Sequence, residues 1–138
     1  VRELNPYHYI VRTSWLYGYK GKNFVETMIN LSKQNSELNI VNDQIGCPTS
    51  TIALITGMMD IILRKKTYGI YHICGSGSTS WFGFASKIFE LMNISVKINP
   101  VLTDDFPRPA VRPKYSVMES NMCPDWIESL EEYIKNRK

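Results

Sequence analysis

The chain has 138 residues, of which 43% are hydrophobic, 12% aromatic and 21% charged, a balance that suits one globular unit and excludes low-complexity chain. At this length roughly two thirds of the unfolded surface can be buried, so the core needs no metal or disulfide staple. A formal charge of +3, from 16 Lys+Arg against 13 Asp+Glu, is too small to point to nucleic acid and is compatible with an anionic small ligand.

The apolar run Ile52 to Leu63 is broken by Thr56, Gly57 and Asp60 and falls short of the ~20 residues of a bilayer span. The opening Val1-Arg2-Glu3-Leu4-Asn5-Pro6 does not read as a secretory leader. Cys47, Cys74 and Cys123 form no CxxC pair and are odd in number, which predicts reduced thiols in a cytoplasmic protein. The chain lacks an initiator methionine and opens as the end of one element running into a strand, so a piece of a longer protein is expected.

In chain order, His8 to Thr13 is β-branched and aromatic, as a buried strand is, and Gly18 to Gly21 supply the turn after it. From Phe24 the apolar positions Phe24, Val25, Met28, Ile29 and Leu31 mark one helix face, capped by Asn23 and fading by Asn35. A short strand is predicted at Leu38 to Val41. The polar loop Asn42 to Pro48 follows, then a helix from about Thr51 to Leu63 with Arg64, Lys65 and Lys66 at its negative end. Gly69 to Cys74 reads as a strand, Gly75 to Thr79 as a loop, and Ser80 as the cap of a helix from Trp81 to Met92. A strand near Val96 to Ile98 leads into extended chain with Pro100, Pro107, Pro109 and Pro113. The last element, Pro124 to Lys138, places Trp126, Ile127, Leu130, Tyr133 and Ile134 on one side of a terminal helix. Alternating strands and helices predict the α/β class in a single unit, with no internal repeat.

His8 and His72 lie within strand patterns without metal-ligand spacing and read as structural, so no metal is expected. Gly75-Ser76-Gly77 lacks the GxGxxG spacing of a dinucleotide cradle and reads as a turn. Arg12-Thr13-Ser14-Trp15-Leu16-Tyr17-Gly18 carries a tryptophan to the carboxyl end of a strand, the edge at which open α/β sheets bind ligands. By itself Trp15 reads equally as core packing. The helix start at Asn23 is a natural anion site, and Arg112, in a proline-stiffened segment, can present a planar fork of donors to a pyrophosphate.

Five blocks in order, RTSWLYG, GKNFVETM, VNDQIGCPT, YHICGSGSTSWFGFASKI and PAVRPKYSV, resemble the carboxyl-terminal half of the dTDP-4-dehydrorhamnose reductase family, of the extended short-chain dehydrogenase/reductase group. The resemblance implies the last strands of a Rossmann-type parallel sheet interleaved with a small substrate-binding domain. It also implies an amino-terminal half, outside this chain, with a glycine fingerprint for NADPH or NADH and a catalytic YxxxK pair. No tyrosine here is followed four residues later by lysine, so no catalytic or cofactor-binding residue is assigned and the isolated chain is expected to bind no dinucleotide. By resemblance Trp15 packs beside the deoxysugar, Asn23 and Phe24 face the diphosphate, Val41 to Gln44 border the nucleoside, and Arg112 holds the diphosphate. Gly46, Pro48 and Thr49 fit a QxGxPT pattern read as loop geometry. The implied partners are a dTDP-sugar and the missing half, without nucleic acid or membrane, and a homodimer is compatible. A non-catalytic binding module like the methionine adenosyltransferase beta regulatory subunit shares several blocks and is the alternative.

The chain departs from the family pattern twice. Ala53 stands where an acidic residue commonly follows the PT motif, which removes charge-assisted capping there. The connection from Met118 to Pro124 is shorter than the family's, which removes a helix and predicts weaker support for the terminal one.

Overall fold

The computed structural model describes residues 1–106 and 110–137, so Pro107, Pro109 and Lys138 lie outside the described residues. The predicted strands and helices appear in order: β1 (Tyr9–Arg12), β2 (Leu16–Tyr17), α1 (Phe24–Ser32), β3 (Glu37–Val41), β4 (Ile45–Gly46), β5 (Thr49–Ser50), α2 (Thr51–Leu63), β6 (Gly69–His72), β7 (Thr79–Ser80), α3 (Trp81–Met92), β8 (Lys97–Val101) and α4 (Trp126–Asn136). They are joined by the additional two-residue strands β2, β4, β5 and β7. Pairings β1–β6, β2–β5 and β3–β8 are parallel, and β4–β7 is antiparallel. Among the described residues no helix is long and apolar enough to cross a membrane.

Each helix begins where a side-chain oxygen can take an orphan amide. Asn23 Oδ1 accepts from Glu26 N at 3.1 Å, Ser50 Oγ from Ala53 N at 3.1 Å, Ser80 Oγ from Gly83 N at 2.9 Å and Asp125 Oδ1 from Ile127 N at 2.8 Å. Caps of this kind are worth about 1 kcal/mol each. At α2 the Ser50 hydroxyl therefore satisfies the amide of Ala53 without a carboxylate. At the other end of α2, Arg64 and Lys66 both pair with Asp60.

The core lies among α1, α3, α4 and β3, where Val25, Ile29, Ile40, Phe84, Ile88 and Leu130 are buried. Helix α2 stands outside that cluster. It buries only Ala53, Gly57 and Ile61, and Gly57 lies so close to Ile73 that a Cβ would run into its side chain. Ile52, Ile55, Met59 and Ile62 on α2 are exposed.

Three local expectations change. The loop Asn42 to Pro48 contains β4, whose Ile45 and Gly46 pair with Ser80 and Thr79. The strand expected to end at Ile98 runs to Val101, with Pro100 opposite Ile40; Pro100 is tolerated because, among the described residues, β8 is paired on one side only, leaving its missing amide on the open edge. Thr103–Asp105 then form one 3₁₀ turn inside the proline-rich stretch.

The terminal helix docks firmly, against the expectation drawn from the short connection. Trp126, Leu130 and Tyr133 are buried, and the amide of Ser76 donates to Pro124 O while that of Trp126 donates to Ser76 O. The Cys47 and Cys74 thiols both donate to the Met118 carbonyl, and the Cys123 thiol to that of Ala53. Burial pushes the Cys74 thiol up to about 12, with Cys47 acting in the same direction, so it is protonated and available as a donor. These contacts do the work of a longer connection.

Candidate substrate site

The carboxyl ends of three parallel strands supply the site. Beyond β1 comes Trp15, beyond β3 come Asp43 and Gln44, and beyond β8 comes Thr103. This is the edge at which the parallel α/β arrangement leaves loops free to hold a ligand.

Trp15 sits at φ 46°, in the left-handed region that costs a bulky residue roughly 1 kcal/mol or more. Its carbonyl accepts the amide of Thr49, and the preceding Ser14 hydroxyl donates to Cys47 O at 2.9 Å. The indole lies flat on that of Trp81, with centroids 3.6 Å apart and planes within 6°. Phe24 packs on Trp81 at 4.5 Å between centroids and stacks on Phe84 at 5.4 Å.

A directional hydrogen-bond chain leaves this cluster. Trp81 Nε1 donates to Gln44 Oε1 at 3.2 Å, Gln44 Nε2 to Thr103 Oγ1 at 3.0 Å, and Thr103 Oγ1 to Asp43 Oδ1 at 2.6 Å. The Thr103 amide also donates to Asp43, at 2.8 Å, and Lys114 lies 3.6 Å from the same carboxylate. The Thr103 hydroxyl, helped by that amide and by Lys114, holds the Asp43 carboxyl below its ordinary value despite partial desolvation. A second tie, from Ser80 Oγ to Asn42 Oδ1 at 2.6 Å, fixes the start of α3 to the same loop.

The structure thus brings together Trp15, Phe24 and Gln44 around Trp81, which the sequence reading placed only as the first residue of a helix. Val41 ends β3 opposite Val101. Asn23 lies at the start of α1, where its side chain is already engaged: it caps α1 through Oδ1 and donates from Nδ2 to Gly18 O at 2.8 Å. Arg112 is exposed, with no hydrogen bond or ion pair to a described residue. It precedes by three residues Tyr115, which is bridged to Ile45 beside Gln44. Gly46 earns its place by contact, since a Cβ there would collide with the Trp15 indole. Thr49 is fully buried; its hydroxyl accepts the Gly75 amide and donates to Cys47 O, both at 3.2 Å.

A family model for the RmlD substrate binding domain matches residues 1–136. The chain belongs to this family. It is 40% identical over 135 residues to a spore coat polysaccharide biosynthesis protein of Bacillus subtilis, covering 93% of this chain and 47% of that protein. A crystal structure of a dTDP-4-dehydrorhamnose reductase from Clostridium acetobutylicum superposes with a TM-score of 0.93 at 49% identity, over 97% of this chain and 50% of that one. The reductase of Bacillus anthracis, solved in complex with NADP, superposes with a TM-score of 0.90 at 44% identity, over 99% and 51%. This RmlD-type chain therefore spans about half the length of the relatives it matches, and its fold is α/β of the Rossmann type that those structures share.

The RmlD-type chain's own glycine turn does not suit a dinucleotide. At Gly75 a Cβ would run into the Pro48 carbonyl, Gly77 lies beside the Asp125 carboxylate, and the Ser76 amide is bound to Pro124. A phosphate would meet a carboxylate and an amide already in use. Among the described residues no three His, Cys, Asp or Glu side chains converge as metal ligands. A separate cleft of about 700 Å³ lies between β6, the turn 76–78 and segment 117–122 and includes none of the predicted site residues. Two of its polar groups serve their own turns, the Tyr71 hydroxyl donating to Thr67 O and Ser120 Oγ accepting from Met122 N. The cleft holds none of the residues that the strand edges bring together, and the aromatic cluster is the stronger candidate.

Proposed function

We propose that this chain is the substrate-binding portion of a nicotinamide-dependent reductase that converts dTDP-4-dehydro-6-deoxy-L-mannose to dTDP-L-rhamnose, a step of dTDP-rhamnose biosynthesis. The carrying observation is the match, end to end and at 44–49% identity, to the corresponding half of two such reductases, together with the convergence of Trp15, Phe24 and Gln44 at one strand edge. In this reading Trp15 meets the deoxysugar, the start of α1 at Asn23 and the guanidinium of Arg112 meet the diphosphate, and Val41 to Gln44 border the nucleoside. The reduced thiols fit a cytoplasmic protein.

A further half of the enzyme completes the reading. The exposed row Ile52, Ile55, Met59 and Ile62 along α2 and the single partner of β1 among the described residues suit an amino-terminal half that continues the parallel sheet and covers α2. That half carries the dinucleotide site, whose NADPH or NADH supplies hydride, and the proton donor. This chain's residues bind and orient the sugar nucleotide and exclude water from it.

The test is oxidation of NADPH by the full-length protein with the 4-keto sugar nucleotide, beside dinucleotide and dTDP titrations of the isolated chain. Turnover by the full-length protein, with no dinucleotide binding and weak dTDP binding by the isolated chain, is expected. Positioning of hydride and proton donors is worth roughly 7–11 kcal/mol of barrier, so the isolated chain should be inactive. Saturable micromolar NADPH binding by the isolated chain refutes the assignment to the substrate half. A full-length protein that binds dTDP-sugar without turnover favours the non-catalytic module.

A further inference from the structure

Both faces of the Trp15 indole are in contact. Trp81 covers one at 3.6 Å with planes within 6°, which leaves no room for backbone between the rings. Gly46 covers the other. A Cβ built on Gly46 is nearest to Cε2 and then to Nε1 and Cζ2, the two outer neighbours of that ring-fusion carbon. A point approaching in the ring plane would pass closer to Nε1 than to Cε2, so this approach comes from above the plane. Since Trp81 fills the first face, Gly46 lies over the second. A half-buried indole with one face filled by Trp81 and backbone set over Cε2 on the other has its outer edge as the readiest surface for a ligand.

We propose that Trp81 is a positioning residue of the substrate site: by stacking on Trp15 against Gly46 and donating its indole N–H to Gln44, it fixes Trp15 edge-on to the sugar and locks that edge to the loop 42–45. The proposal rests on the reductase reading above and adds to it the orientation of the aromatic wall. An indole edge carries the positive end of the ring quadrupole and an N–H. It therefore addresses sugar oxygens, whether hydroxyl or keto, and does not offer a face for the sugar's C–H groups. Trp15 has reason to need a clamp, because its left-handed backbone is a conformation that persists only when the surroundings over-determine it. The second role follows from the hydrogen-bond chain. Trp81, Gln44, Thr103 and Asp43 are linked donor to acceptor in one direction, ending on a carboxylate, an arrangement in which each bond polarises the next. The sugar wall and the nucleoside-side loop then move as one body.

The full-length protein, labelled with 5-fluorotryptophan and carrying Trp81→Phe or Trp81→Leu, tests this, with thermal melts to confirm folding and Trp15→Phe to assign the Trp15 resonance. In Trp81→Leu the Trp15 fluorine signal is expected to shift and broaden as the stack is lost, and kcat/KM for the 4-keto sugar nucleotide to fall about 10- to 100-fold with the NADPH dissociation constant within about twofold. Trp81→Phe keeps an aromatic ring and loses the N–H, so it is expected to restore much of the Trp15 signal while KM stays about three- to tenfold raised. Unchanged kinetics in a folded Trp81→Leu protein whose Trp15 signal has moved overturns the positioning role. A Trp15 signal indifferent to Trp81→Leu overturns the clamp itself. A wild-type signal that moves on dTDP-sugar binding as far as it does in Trp81→Leu also overturns it, because the sugar would then have parted the rings. A wild-type protein that binds no dTDP-sugar overturns the reductase reading and the positioning role with it, while the fluorine signal still reports separately on the clamp.

Discussion

Glu26→Gln should loosen the terminal helix in a pH-dependent way. In the wild type the Glu26 carboxylate joins α1 to the end of α4: Arg137 donates to it twice, from Nε at 2.7 Å and Nη2 at 2.8 Å, and the Tyr133 hydroxyl once, at 2.7 Å. Both side chains of the ion pair are three-quarters covered, at 25% exposure each. Tyr133 has one proton and a second acceptor, Gly18 O at 3.1 Å, so in Glu26→Gln the phenol can turn to that carbonyl and its loss is small. What is lost is the paired, charge-assisted bond to Arg137. A bidentate pair this far from full exposure is worth about 1–2 kcal/mol, between the surface and buried limits, which lowers Tm by about 3–8 °C for a chain of this size. The Arg137 hydrogen bonds, with a smaller contribution from Tyr133, hold the Glu26 carboxyl below its ordinary value against desolvation. A depressed folded-state pKa means that the stabilisation is fully present above the unfolded value, about 4.3, and is lost as pH falls through the folded one. Melting followed by circular dichroism from pH 7 to pH 3 should therefore show the wild-type and Glu26→Gln curves separated at pH 7 and converging below about pH 4. A gap that persists undiminished at pH 3 would show that the substitution acts through packing and not through the carboxylate.

Two further expectations concern the site. Gly46→Ala drives a methyl onto an indole that Trp81 prevents from retreating, so overpacking of about 2–3 kcal/mol should appear as a lower Tm together with weaker dTDP-sugar binding by calorimetry; an unaltered melt would mean that the indole yields freely. Arg112→Lys keeps the charge and loses the planar fork, so under the proposed function the dissociation constant for dTDP should rise several-fold in the full-length protein, and an unchanged titration would remove Arg112 from the site.

What could be read in the sequence was what is decided locally. The start of α3 was legible because Ser80 bonds an amide three positions on, a relation contained within one helical turn; Ser50 does the same for α2, whose start was read only as about Thr51. The β4–β7 ladder was not, because two residues on each side are too few to show an alternation. The docking of α4 was misjudged for a related reason. Chain length between Met118 and Pro124 is visible in a sequence, whereas two thiols converging on the Met118 carbonyl from positions 47 and 74 are not. The same distinction separates the site residues. Asn23 was singled out as a helix start facing an anion, and its residue type is already accounted for by the cap and the bond to Gly18 O. Trp81 passed as a first helical residue because both of its defining contacts are remote, with Trp15 sixty-six positions before it and Gln44 thirty-seven before it. Aromatic residues just after a serine cap are common and carry no flag of their own. The informative signal was the pairing of that tryptophan with a second one after a strand and a glycine in a later loop, since a bare backbone at Gly46 is needed only where something flat lies against it. Gly46, read as loop geometry, is better understood as one wall of the Trp15 clamp. Its identity therefore follows from an indole 31 residues earlier in the chain and not from the turn it occupies.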